Sequence, residues 1–328
     1  MRQLTSLTGS NALGIELSIL TFSLILAVYT YLYIARKKQI LDLPNHRSSH
    51  QHITIRGGGI VIPLAVLSYW VLYQQNHFFV AGVLVISTIS FLDDIKPLSS
   101  KIRILFHFLA VCCLFYELNL GQLHWLILPV ALILVIGWIN AVNFMDGING
   151  ITVSYFITVV GSLFYVNQKI TSFAEPAMFH YTLIALGVFA FFNFRKKALC
   201  FAGDIGSVSI AFIVAFLMMA LIIKSGQVIY IGFVLIYAID AVGTIIERLI
   251  KKQNIFEPHR LHFYQRLAND KKIPHLFISS GYAVVQLMIN ISLFQFVDSN
   301  YSTIILLGML ILLSITYVMV KQRLFKIL

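Results

Sequence analysis

Carboxylates are scarce in this chain of 328 residues, only 13 Asp and Glu, and several stand beside glycine, asparagine or a second acid. Asp93 and Asp94 are adjacent at the end of an apolar run, followed by Lys96, Lys101 and Arg103. Two acids at a helix C-terminus repel each other and the helix dipole, so a divalent cation or nearby Lys and Arg must compensate. A solvated helix end is the plain alternative. Asn140, Asn143 and Asp146 step by three in WINAVNFMDGING. On a helix they span an arc of about 120°, a face that hydrogen-bonds a nucleobase, holds a metal-bound phosphate, or forms a polar seam between helices. Asp204 lies between Gly203 and Gly206 just ahead of an apolar run, which suits a metal or phosphate site at a positive helix end, or a helix N-cap.

Two basic loops complete the set. LDLPNHRSSHQHITIRGGGI carries Arg47, Arg56 and Gly57 to Gly59, where arginines bind phosphate oxygens bidentately and glycine permits close backbone approach. The same loop also reads as an ordinary basic connection returning to the membrane. EPHRLHFYQRL packs His259, Arg260, His262 and Arg266 into eight positions. Its two histidines lack a third ligand at zinc spacing, so anion or sugar recognition is the better assignment. Asp240, inside an apolar run, is as consistent with a structural pair as with a direct role.

Such residues need a scaffold, and composition defines it. The chain is 59% hydrophobic and 11% charged, with a mean hydropathy of +0.86. Soluble domains carry about a quarter charged residues. The expectation is an all-α polytopic membrane protein, a single domain over 1–328, with about 11 transmembrane helices. Apolar runs place them near 13–35, 60–76, 78–92, 102–119, 124–143, 150–167, 177–194, 207–223, 227–246, 273–296 and 302–320. The first run ends in Arg36-Lys37-Lys38 and lacks a small-residue cleavage site, so it reads as a membrane helix. With the N-terminus outside and the C-terminus cytoplasmic, 21 of the 24 Lys and Arg fall inside, leaving Arg2, Lys169 and Lys224. The positive-inside rule favours that orientation. The net charge of +11 is thereby a matter of topology, and nucleic acid is not expected as a partner. Cys112, Cys113 and Cys200 form no disulfide framework and no metal spacing. The candidate acids converge on one membrane surface, which favours interfacial chemistry over transport; the competing reading is a transporter or flippase of lipid-linked substrates.

Five segments, PNHRSSHQHITIRGGG, FLDDIKPLSSKIRILF, NAVNFMDGING, CFAGDIGSVS and HRLHFYQR, resemble in kind and order those of the polyprenyl-phosphate N-acetylhexosamine-1-phosphate transferases. This family includes the bacterial enzymes that start O-antigen, capsule and other envelope glycans on undecaprenyl phosphate. The resemblance implies transfer of a sugar-1-phosphate from a UDP-N-acetyl sugar to undecaprenyl phosphate, with release of UMP, at the cytoplasmic face of the bacterial inner membrane. It implies Mg²⁺, with Mn²⁺ as an alternative, on Asp204, with Asp93 and Asp94 as metal-linked or lipid-phosphate-activating carboxylates, and these three as the catalytic set. Asn143 and Asp146 would lie near the nucleotide, with Arg47, Arg56, Asn140 and Asn193 also substrate-binding. His259, Arg260, His262 and Arg266 would face the diphosphate or sugar. A homodimer is an allowed assembly. Two departures stand out: HRLH replaces the run of histidines of the peptidoglycan-precursor branch, and NFRKKALCFAGD lacks a proline usual there, which leaves the role of Asn193 open.

Overall fold

The computed structural model describes residues 2–44, 49, 52–122, 124–254 and 259–325, with side chains from Ala12 onward. Its described residues form twelve α-helices: α1 (Arg2–Lys37), α2 (Val61–Tyr73), α3 (His77–Ile95), α4 (Ser100–Glu117), α5 (Ile127–Met145), α6 (Ile151–Lys169), α7 (Pro176–Asn193), α8 (Gly203–Ser225), α9 (Leu235–Ile250), α10 (Phe263–Asn269), α11 (His275–Phe294) and α12 (Ser302–Phe325). Each of the eleven apolar runs coincides with one of these helices, and only the seven-residue α10 lies between them. Nine helical segments among the described residues are long and apolar enough to cross a bilayer. The other two fall short for visible reasons. The segment Gly58–Tyr73 is shorter, and α4 carries Lys101, Arg103 and Glu117. The chain is an all-α, multi-pass membrane protein.

The bundle is built around α8. Its sequence is apolar on every side, and 89% of its membrane window is buried, against 17% for α5 and 6% for α12. A helix hydrophobic all round belongs either in a core or in lipid; here α8 is the core, and α12 faces outward to lipid. Helix α8 packs on α3, α5, α2 and α6. The α3 contact is close because Gly82 faces the Phe212 ring, and Phe79 stacks on Phe216 with centroids 4.2 Å apart.

Helix α9 is preceded by a 3-10 segment, Val228–Val234. A change of helix type at membrane depth strands backbone groups that must find partners. Gln286 of α11 supplies them, accepting from Ile236 N–H at 3.0 Å and donating to the Gly232 carbonyl at 2.9 Å.

At the end of the bundle that holds Asp93, Asp146 and Asp204, two short strands, β1 (Leu41–Asp42) and β2 (Thr54–Ile55), pair antiparallel, Leu41 opposite Ile55 and Asp42 opposite Thr54. Strand β2 then runs along the chain before α8: Phe201 N–H donates to Ile55 O, Gly58 N–H to Phe201 O, and Gly59 N–H to Ala202 O, at 2.8–3.0 Å. This ladder carries the first basic loop onto the start of the core helix.

Candidate active site

Three glycines make that approach possible. Gly57 has φ +83°, and a Cβ on Gly59 would stand 2.3 Å from the Gly206 Cα. Gly58 and Gly59 are buried and serve backbone-to-backbone packing, so their role is to bring Arg56 to α8. The Arg56 guanidinium spans two acids, with Nε 2.6 Å from Asp94 Oδ1 and Nη2 2.7 Å from Asp204 Oδ1. Burial opposes the charge of Arg56, but Asp204 and Asp94 more than offset this and raise its pKa.

Asp94 also accepts the first N–H groups of α8, from Asp204 at 2.9 Å and Ile205 at 3.0 Å. The last turn of α3 is an unfavourable place for an acid, but the N-terminus of α8 is a favourable one, and the side chain bridges them. Asp93 takes the other side: it accepts Leu98 N–H at 2.6 Å, and Arg103 Nη1 lies 3.2 Å from its Oδ2. The same Arg103 nitrogen is 3.8 Å from Asp204 Oδ2. Asn143 Nδ2 donates to that oxygen at 3.3 Å, and its Oδ1 accepts from Ser207 at 2.8 Å.

Asp146 ends α5 one step further round. Its Oδ1 accepts the Thr152 hydroxyl at 2.5 Å, and burial pushes its pKa up to about 6, with Thr152 opposing and Asp204 adding to the rise. Arg56, Asp93, Arg103, Asn143, Asp146 and Asp204 line one cavity of about 420 Å³, together with Asp42, Asn149, Gln265 and His275, while Asp94 stands behind its wall.

Asn193 reaches the cavity wall, but its amide is used: Oδ1 accepts Gly150 N–H at 2.8 Å and Nδ2 donates to Cys200 O at 2.9 Å. It braces two loops without needing the proline its segment lacks. Asn140 bonds back to Ile136 O within its own helix and does not line the cavity. Arg260 lines a neighbouring cavity. His259 and His262 stand with ring centroids 5.0 Å apart, outside both walls, and burial first, then His262, pushes His259 down to about 4. Arg266 turns away, bonded to Asp270 at 3.1 Å and lying 4.1 Å over the Phe325 ring. Arg47 lies outside the described residues.

Arg103 is the residue that reading the sequence for chemistry undervalued. Its signal was present, a cation ten residues past an acid pair with a proline turn between, so that α4 returns it to the end of α3.

For a divalent cation, the relevant observation is Arg103. Among the described residues no group of three or more His, Cys, Asp and Glu is placed to hold a metal ion. Asp93 and Asp204, however, flank one cationic nitrogen and both face the cavity. Mg²⁺ is commonly held by one or two carboxylates with substrate phosphates completing its shell, and this hard-oxygen pair fits that pattern.

The glycosyl transferase family 4 model matches residues 77–222, a span holding Asp93, Asp94, Asn143, Asp146, Asn193 and Asp204. Over that span, which is less than half of its length, the chain is similar to glycosyl transferase family 4. Among similar proteins, a probable undecaprenyl-phosphate N-acetylglucosaminyl 1-phosphate transferase of Bacillus subtilis is 26% identical over 259 residues, covering 71% of each chain. An undecaprenyl-phosphate alpha-N-acetylglucosaminyl 1-phosphate transferase of Salmonella typhi is 27% identical over 309 residues, 83% of this chain and 79% of that one. A phospho-N-acetylmuramoyl-pentapeptide-transferase of Thermotoga neapolitana is 24% identical over 285 residues, 78% and 92% respectively. Arg56 and the loop 259–266 lie beyond the family 4 match, so their place at this end of the bundle rests on the contacts described.

Proposed function

We propose that this protein transfers an N-acetylhexosamine-1-phosphate from a UDP-sugar to undecaprenyl phosphate, releasing UMP and forming the lipid diphosphate sugar that starts an envelope glycan. The single observation that carries this reading is the Asp93–Arg103–Asp204–Arg56–Asp94 array, alternating in charge, at one end of an apolar bundle. The names of the relatives agree with it.

The chemistry asks for such an array. An oxygen of the lipid phosphate attacks the phosphorus bearing the sugar. A new P–O bond forms there, the bond from that phosphorus to the bridging oxygen breaks, and UMP leaves with the electron pair. Attack of one phosphate on another gathers negative charge, which fixed cations in a low-dielectric cleft stabilise. Arg56 and Arg103 supply them, each held in place by the acids it pairs with. Asp93 and Asp204 would hold Mg²⁺, which when bound neutralises phosphate oxygens and orients them. Asn143 and Asp146 offer a donor and an acceptor for the nucleotide, and Phe201 gives the wall an aromatic face. The lipid tail requires apolar helix surface beside the cavity, and the water-soluble donor requires an opening to the cytoplasm; an N-out, C-in protein of the bacterial inner membrane meets both needs.

The test is direct. Purified protein with undecaprenyl phosphate, Mg²⁺ and a panel of UDP-N-acetyl sugars should release UMP and extend the lipid with at least one donor. No UMP with any member of the panel would overturn the proposal.

A further inference from the structure

A second cavity of about 750 Å³ adjoins the first, and the two share Ser49, Asn149, Phe201 and His275. Their charges are opposite. The catalytic cavity carries Asp42, Asp93, Asp146 and Asp204 against Arg56 and Arg103. Among its described lining residues the neighbouring one carries Lys196, Lys197, Arg260 and Lys272 against one acid, Asp270, and that acid is bonded to Arg266 at 3.1 Å. The lysine loop is anchored. Asn149 Nδ2 donates to the carbonyls of Arg195 at 2.8 Å and Lys196 at 3.2 Å, and Leu199 N–H donates to Phe192 O at 2.9 Å. Lys196 and Lys197 are therefore exposed side chains on a loop tied at both ends, facing a space that opens onto the chemistry.

A polyanionic donor approaching the acid-rich cavity alone meets repulsion. A basic antechamber beside it concentrates that donor and accelerates its entry, since a cleft of one sign focuses the field. Resting on the assignment of a sugar nucleotide as donor, we propose that the basic cavity is the site where nucleotide phosphates are captured before transfer and where UMP is held before release. An anionic lipid headgroup shares the phosphate chemistry. The shared wall of Asn149, Phe201 and His275 favours the nucleotide, because it joins this cavity to the catalytic one.

The test uses the full-length protein in detergent, in vesicles of neutral phosphatidylcholine, and in vesicles of phosphatidylcholine with phosphatidylglycerol. UMP binding is measured by calorimetry, and donor kcat/KM is followed against ionic strength. In the triple variant Lys196→Gln, Lys197→Gln, Lys272→Gln, UMP affinity should fall about 10-fold and donor KM should rise in proportion, with kcat nearly unchanged and a shallower salt dependence of kcat/KM. Lys224→Gln, at the far end of α8, should change none of these. The proposal is overturned if the triple variant binds UMP like the parent, if kcat falls in place of a KM rise, or if the effect appears only in vesicles containing phosphatidylglycerol. Because UMP binding is read without turnover, failure of transfer with every UDP-sugar would count against the donor assignment and leave the binding result standing.

Discussion

Asp94 accepts the backbone N–H of Asp204 at 2.9 Å, so an acid at the end of one membrane helix caps the start of another. The contact fixes where the Asp204 side chain points, and Arg56 bonded to both carboxylates closes the arrangement. Asp94→Ala leaves two α8 N–H groups without an acceptor, which costs about 1–3 kcal/mol. Asp94→Asn keeps an acceptor but loses the charge that holds Arg56. We expect lower melting temperature for Ala, near-normal melting for Asn, and UMP release reduced about 100-fold or more in both. An Asn variant with parental turnover would contradict the electrostatic role.

Arg103 stands between Asp93 and Asp204, at the position proposed for a cation. Arg103→Gln removes a competitor for that position together with one cation that steadies the phosphates. Half-saturating Mg²⁺ should fall while kcat drops about 10- to 100-fold. Chelation with EDTA should abolish turnover in both proteins, reversed by Mg²⁺. A variant that needed more Mg²⁺ than the parent would show that Arg103 and the ion do not share the site.

Asp146 predicts a pH limb. Burial raises its pKa to about 6, so the folded protein takes up this proton more readily than the unfolded chain. That contribution to stability is full below the ordinary carboxylate range and is lost as pH rises through about 6. Asp146→Asn should therefore melt higher than the parent at pH 7.5 and similarly near pH 4. Where the ionised form faces the nucleotide, parental kcat/KM should fall as pH drops through about 6, and the Asn variant should lack that limb. An unchanged pH profile would remove Asp146 from the reacting set.

How much of this was legible beforehand depends on what each residue answers to. The helices were legible because a bilayer demands long apolar runs, and the eleven runs recur as helices. Asp93, Asp94, Asn143 and Asp204 were legible because uncompensated polar groups at such helix ends are costly, and the fold brings them together. The glycine run is open to two readings in the sequence, a phosphate cradle or an ordinary connection returning to the membrane, and its close neighbours are Cys200, Ala202 and Gly206; spacing alone does not distinguish a backbone that approaches a ligand from one that approaches another backbone. Asn140 repeats the period of Asn143, yet its amide closes on its own helix, because three residues is less than a full turn. His262 lies against Asp240, 22 residues away, and only tertiary packing sets that pairing.

Gly59 tests the backbone reading. A Cβ there would meet Gly206 Cα at 2.3 Å and Ala202 O at 2.8 Å, atoms that cannot turn aside. Gly59→Ala should destabilise by about 1–3 kcal/mol or more and separate Arg56 from Asp204, with loss of UMP release. Gly161→Ala on α6, where nothing lies within 4 Å, should leave melting and turnover intact. Equal behaviour of the two variants would refute the close packing of the first loop on α8.

Asp240 carries the last prediction. It is 1% exposed, and its carboxylate gathers Phe263 N–H at 2.9 Å, Tyr282 hydroxyl at 2.7 Å and Tyr317 hydroxyl at 3.0 Å, with His262 Nδ1 3.7 Å away. Three further helices, α10, α11 and α12, are thus tied to α9 at one point. Lys321 of the otherwise lipid-facing α12 adds an ion pair to Glu247 at 2.9 Å. Helix α10 in turn donates the Tyr264 hydroxyl to Phe144 O at 2.9 Å, beside Asp146, and sets Gln265 in the cavity wall. Asp240→Ala removes the acceptor of three donors, the Tyr282 hydroxyl fully buried and the other two partly so, and should cost about 2–4 kcal/mol. The effect on catalysis should follow from displaced α10, with donor KM raised more than kcat is lowered, and Asp240→Asn should recover part of both. Parental melting and KM in Asp240→Ala would mean that α10 holds its position without this carboxylate.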